Sequence, residues 1–201
     1  MTSIAIAAAA TALLTLAAAG CDARHAADNV ASPASGKAIG SGASAQIGQA
    51  QLRLASSGLL TLPYVGRPGS PVDFGTARGT AIAAVSAVLG AATEESANEE
   101  CGAGPMQFAS FGTLTLNFQD GAFVGWSLRG PPGTPPLRSA TGLGIGTPRD
   151  QIMGEGQGPL EVSETSLGTQ FDARGIIGLL SGPEPDATVT ALWAGTNCIF
   201  H

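Results

Sequence analysis

Asp120, Glu161, Glu164 and Asp172 are the side chains whose chemistry comes first to mind. They lie near predicted strands and turns, and two carboxyls about 5–10 Å apart in a cleft are what glycoside hydrolysis requires. Solvent-facing strand and turn positions explain them more simply. Other catalytic chemistry is poorly served. The two histidines, His25 and His201, stand near the ends of the chain. Neither a Ser-His-Asp nor a Cys-His arrangement can therefore form in the predicted core, and no spacing matches a zinc site. Gly-x-Ser-x-Gly and a phosphate-cradling loop ending in Lys-Ser/Thr do not occur. "GLGIG" at 142–146 lacks the later glycine and the βαβ context of a dinucleotide site, and reads as a strand-end turn. Glu94, Glu95, Glu99 and Glu100 supply four carboxylates, but without the spacing of a calcium loop, so they read as a solvated acidic connection. The expectation is a non-enzymatic protein with no cofactor and no metal. Trp126 and Trp193 each end a predicted apolar strand. They either fill space between helix and sheet or stand on an open sheet face as binding anchors, since aromatics dominate interface energetics. Arg129, Arg138, Arg149 and Arg174 would then form a polar rim; the candidate binding residues are Trp126, Trp193, Arg129 and Arg149.

The first cysteine stands in a special context. From Ile4 to Ala19 the chain is uncharged and almost wholly apolar, and "TLAAAGCD" follows with small residues directly before Cys21. Sixteen helical residues rise roughly 24 Å, short of the ~20 apolar residues that a spanning helix needs. The length suits a signal-peptide core. Ala18-Ala19-Gly20-Cys21 resembles the lipobox of bacterial lipoproteins, although residues 1–10 carry no Lys or Arg. The resemblance implies a signal peptide over 1–20, lipidation of Cys21, and membrane attachment through acyl chains on the periplasmic face or the outer surface. Asp22 bears on sorting, because in some such proteins Asp after the lipidated Cys retains the protein in the inner membrane.

If Cys21 carries lipid, Cys101 and Cys198 are left, and an even remainder in an oxidising compartment suggests a disulfide. Such a bridge would be worth about 4–5 kcal/mol by chain entropy; the alternative is two isolated buried thiols. The net charge of −6 and the single lysine, Lys37, argue against a nucleic-acid partner. Anionic lipid would be repelled too, which again leaves the acyl chains as the membrane contact.

The elements that would position these groups fall in order along the chain. Residues 21–57 read as a lipidated cysteine followed by a flexible tether rich in Ala, Ser, Gly and Gln, although Leu52 and Leu54 permit a first strand. Ile82, Val85, Val88 and Leu89 recur at helical spacing between Gly79 and Gly90, with Thr76 or Thr80 as the cap. "LTLNFQDGAFVGW" alternates as a hairpin. A three-residue loop, Gln119-Asp120-Gly121, pairs Leu116 with Val124 and Leu114 with Trp126, whereas a two-residue turn would turn Trp126 to the other face. Four prolines over 129–137 mark a linker, set at 131–137. Gly146-Thr147-Pro148-Arg149 echoes Gly75-Thr76-Ala77-Arg78, with Thr147 as the cap of a second, short helix. Strands are predicted at 166–171, 175–180 and 188–193, with turns at 172–174 and 182–185, and the tail returns Cys198 and Phe200 to the core.

Helix then antiparallel strands, twice, predicts an α+β fold of two degenerate helix-plus-antiparallel-sheet repeats, 58–130 and 138–201. "LGIGTPRDQI" and "LTLNFQDGAFVGW" resemble the openings and strand–turn–strand endings of two groups. One is the β-lactamase-inhibitory-protein-like tandem domains, the other the small outer-membrane assembly lipoproteins. Both are binding modules, so the resemblance implies an envelope protein partner. A small-molecule or glycan binder and a carboxylate-dependent hydrolase are the alternatives.

Overall fold

The computed structural model describes residues 51–63, 68–133, 136–152 and 160–199. The expected signal peptide, Cys21 and most of the tether lie outside the described residues, as does Phe200. The strands are β1 (Leu52–Ala55), β2 (Gly58–Thr61), β3 (Ser70–Asp73), β4 (Glu94–Asn98), β5 (Met106–Phe111), β6 (Leu114–Gln119) and β7 (Ala122–Arg129). They continue as β8 (Arg138–Ser139), β9 (Val162–Thr165), β10 (Gly168–Ala173), β11 (Ile176–Leu180) and β12 (Val189–Gly195). Among the described residues these twelve strands accompany one α-helix, α1 (Arg78–Leu89), and one three-residue 3-10 turn, Arg149–Gln151. The architecture is therefore mostly β. It overturns the expected α+β fold of two helix-plus-sheet repeats, and with it the tandem helix-and-sheet architecture that the resemblance implied.

The reason lies in the two "glycine-threonine" segments. In the first, Gly75 donates to Phe123 O, Phe123 donates to Thr76 O, and Arg78 donates to Gly121 O. In the second, Gly146 donates to Val189 O, Val189 donates to Thr147 O, and Arg149 donates to Ala187 O. The two segments thus make the same trio of backbone bonds, each to the last strand of a meander or the turn leading into it. After Arg78 comes a run of Ala, Val, Ile and Leu, and a helix propagates until Gly90, at φ 87, donates back to Ser86 O. From Arg149 the described chain makes a three-residue 3-10 turn, and at Ile152 the backbone is extended. Neither segment uses a threonine cap. Ala77 stands at the N-cap of α1 with no side-chain bond, and Gly121 O receives the first helical N–H instead. Thr147 Oγ1 accepts from Gly144 N and from Arg138 Nη1, pinning its own loop.

The strands form an eight-stranded antiparallel sheet, ordered β4-β5-β6-β7-β12-β11-β10-β9, and a four-stranded sheet, ordered β3-β2-β1-β8. The large sheet is two meanders joined along β7 and β12, where Ser127 faces Trp193. One face carries the core. Phe111, Leu114, Leu128, Leu192, Gly178 and Phe171 form a continuous cross-strand row. A side chain at Gly178 would begin 2.3 Å from the Phe171 ring, so the phenylalanine fills the glycine's place. A second row runs Ala109, Leu116, Trp126, Ala194. Leu52, Leu54, Leu59 and Val72 of the small sheet, together with Ala81 and Val85 of α1, complete this core.

Several local expectations change. β1 pairs with β2 on one side and β8 on the other, so the tether cannot extend to residue 57. The acidic connection is in part an edge strand, β4, paired with β5 from Glu94 to Asn98. Charged residues on an edge discourage pairing with other chains. β9 departs from the predicted strand set: its Val-Ser-Glu-Thr sequence is mostly solvent-facing and shows no apolar period. The β10–β11 turn falls on Arg174-Gly175, both at positive φ, one step later than predicted.

The β6–β7 hairpin is the instructive correction. Its turn has two residues, Asp120 at φ 49 and Gly121 at φ 75, with Gln119 opposite Ala122. Positive φ at both central positions matches the right-handed strand twist. Trp126 still faces inward because the register shifts between Asn117 and Phe118, leaving Val124 as an extra residue. Leu116 therefore lies opposite Trp126 and Leu114 opposite Leu128.

Candidate functional site

The extra residue in β7 has a second effect. The Val124 carbonyl accepts the Thr196 N–H at 2.8 Å, which draws the C-terminal segment 196–199 across the face of the large sheet opposite the core. Gly125 makes the approach possible, since a Cβ there would lie 2.1 Å from Thr196 O. Asn117, only 2 % exposed, donates from Nδ2 to Thr196 O at 3.1 Å and to Asn197 Oδ1 at 2.6 Å. Asn197 in turn donates to Ala194 O and Gly195 O, which fixes its amide. Cys198 then reaches Cys101 at disulfide distance, with Cα atoms 5.4 Å apart, and Asn98 Nδ2 lies 3.6 Å from Cys198 Sγ.

Between this tail and the sheet lies a hollow of about 260 Å³. Its floor is Phe108, Thr115, Asn117, Ser127 and Arg129, from three neighbouring strands; one wall is the tail from Asn197 to Ile199. Strand register explains the set. Thr115 faces Ser127 across β6 and β7, Asn117 faces Phe108 across β6 and β5, and Arg129 follows Ser127 by two residues on the same face. The lining is polar except for Phe108, Cys198 and Ile199, and its one charged side chain is Arg129.

The expected binding residues scatter. Trp126 is fully buried in the core, and its Nε1 donates to Ala55 O of β1 at 2.9 Å. Trp193 is buried too, at 3 % exposure, on the opposite face of the sheet beside Ser127 and Ile177. Neither stands as an anchor on an open face, which corrects that reading of both tryptophans. The arginines form no common rim. Arg149 donates to Pro183 O, and Arg138 donates to Gly142 O and Thr147 Oγ1. Arg174 occupies the β10–β11 turn, and Arg129 alone borders the hollow.

The acids do not converge either. Asp120 sits in the β6–β7 turn, and Glu161 directly precedes β9. Glu164 accepts from Thr169 Oγ1 at 2.7 Å, while Asp172 accepts the Gly175 N–H at 2.7 Å and fastens the turn. In the register of β9 and β10, Glu164 shares a face with Phe171 and Asp172 points to the other. Glu95 pairs with Arg78, whose guanidinium also lies 5.4 Å from the Phe118 ring centroid. Among the described residues no group of three or more His, Cys, Asp or Glu could hold a metal ion.

Sequence reasoning missed Asn98, Asn117, Ser127 and Asn197. Asn117 carried a faint signal, since asparagine is disfavoured in strands and needs a reason to be there. Comparison with family models, with curated proteins and with solved structures finds no significant match to this chain.

Proposed function

We propose that this chain is a lipid-anchored bacterial envelope protein whose β-domain works by binding another envelope protein rather than by catalysis. The observation that carries the reading is the placement of Cys101 and Cys198 at disulfide distance, 97 residues apart in sequence. A structural bond there is characteristic of an oxidising compartment, which agrees with an exported chain whose remaining cysteine, Cys21, follows Ala-Ala-Gly. Intact-mass analysis of protein purified from membranes tests both halves. The expected product begins at Cys21, carries diacylglyceryl and acyl mass, and leaves Cys101 and Cys198 unlabelled by alkylating reagents until reduced. Retention of Met1, an unmodified Cys21, or two free thiols in the native protein would refute the reading. In-membrane cross-linking then asks for the partner: one envelope protein captured by the folded domain supports the binding role, and none opposes it.

The hollow favours a second reading, a binder of small polar molecules or glycans. Its hydroxyls, amides and one guanidinium converge around one aromatic ring, in a lining more polar than that of most small-molecule sites. The carboxylate-hydrolase alternative gains nothing, because Glu164 and Asp172 point to opposite faces of the sheet.

A further inference from the structure

We infer that the hollow between the C-terminal tail and the outer face of the large sheet binds a small hydroxylated carboxylate, a uronic or hydroxy acid of single-sugar size. The inference rests on the small-molecule reading and names its ligand class.

Charge carries the first step. In a chain of net charge −6, the hollow presents one charged group, and it is a cation, Arg129. Among the described residues the one ion pair is Arg78 with Glu95, so Arg129 has no acid partner there. The guanidinium fork matches a carboxylate with two parallel hydrogen bonds. A lone cation balances a single negative charge, which fits a carboxylate better than a phosphate dianion.

The neighbours specify the rest of the molecule. Ser127 stands two residues before Arg129 on the same face, and Thr115 lies opposite Ser127. Asn98 and Asn197 add amides at the rim, one beside Cys198 and one held by three hydrogen bonds. Thr115 Oγ1 already meets Ser110 Oγ at 3.1 Å, Asn98 Oδ1 accepts the Glu100 N–H, and both Asn197 amide hydrogens are taken, so these groups offer chiefly oxygen lone pairs, which accept from a ligand's hydroxyls. Phe108 offers an apolar face for the C–H side of a ring. The volume of about 260 Å³ lies just under the roughly 300–1,000 Å³ of drug-sized sites and holds about one sugar ring. Because the tail is fastened through Asn117, Gly125 and Cys198, its wall of the hollow is preformed.

The test is an NMR titration of the full chain, with Cys101 and Cys198 oxidised, using glucuronate, glucose and inorganic phosphate as probes. Glucuronate should saturate in the roughly millimolar range, moving the amide signals of Ser127, Arg129 and Asn197. Glucose and phosphate should bind at least tenfold more weakly. Arg129→Gln should weaken glucuronate at least tenfold and Ser127→Ala about fivefold, while Arg174→Gln leaves it unchanged; amide spectra of each variant establish that it is folded. Glucose bound as tightly as glucuronate, with Arg129→Gln silent, removes the carboxylate and leaves the small-molecule reading standing. Phosphate bound more tightly than glucuronate removes the carboxylate in favour of a dianion. No saturable shift at the hollow with any probe removes both.

Discussion

Gly125→Ala should unfasten the C-terminal tail, and the cost follows from three hydrogen bonds. The new methyl would begin 2.1 Å from Thr196 O, 2.8 Å from Thr196 C and 2.9 Å from Thr196 N, all backbone atoms that cannot rotate aside. Relief requires the tail to lift. Lifting breaks the Thr196 N–H bond to Val124 O and the two Asn117 bonds to Thr196 O and Asn197 Oδ1. At about 1 kcal/mol net for each bond the loss is roughly 3 kcal/mol. Alanine also narrows the unfolded ensemble, which returns about 0.4–1 kcal/mol. The net destabilisation is therefore about 2 kcal/mol, or roughly 4–8 °C in Tm for a domain of this size. Urea denaturation followed by circular dichroism measures the first quantity, and hydrogen exchange at the Thr196 amide reports the tail directly. With Cys198 also changed to serine the tail is free to move away, so the Gly125→Ala penalty should shrink in the double mutant. A penalty below about 0.5 kcal/mol, with the Thr196 amide still protected, would refute the placement of the tail and the hollow it bounds.

Gly79→Ala should act in the opposite sense: the glycine lies in α1, nothing stands within 4 Å of the place an alanine methyl would take, and helix propensity alone predicts a gain of about 0.5–1 kcal/mol in urea denaturation. Trp126→Phe removes the hydrogen bond to Ala55 O and leaves a void beneath β1, so a loss of about 2–4 kcal/mol is expected by the same measurement. Cys198→Ser should lower the stability of the oxidised protein by about 4–5 kcal/mol on the chain-entropy model for a 97-residue loop. An unchanged midpoint in non-reducing urea would show that no bond closes that loop.

Residue order alone is enough to locate the elements whose side chains divide between oil and water. Ile82, Val85, Val88 and Leu89 repeat at helical spacing between two glycines, and α1 occupies Arg78–Leu89. Leu114 and Leu116 alternate with polar neighbours and a hairpin results, although its turn is Asp120-Gly121 and not the three-residue loop that the alternation predicts. Such signals are local, because burial of one face forces a period on the chain. The polar edge strands β4 and β9 bury little of their length and leave no period to read. What distant segments do to one another is settled by the closed fold and by nothing earlier. The extra residue at Val124 keeps Trp126 in the core, although a turn of two residues alone would have turned it outward. Val189 and Ala187 hold the backbone of Gly146–Arg149 just as Phe123 and Gly121 hold that of Gly75–Arg78, a pairing between distant segments. Asn117, unremarkable in the strand pattern, is buried because Thr196 and Asn197 arrive from 79 and 80 residues away to take its amide hydrogens. Backbone bonds made between distant segments leave no trace in local residue spacing, so the tail, the hollow and the true surroundings of both tryptophans emerge only when the chain is closed on itself.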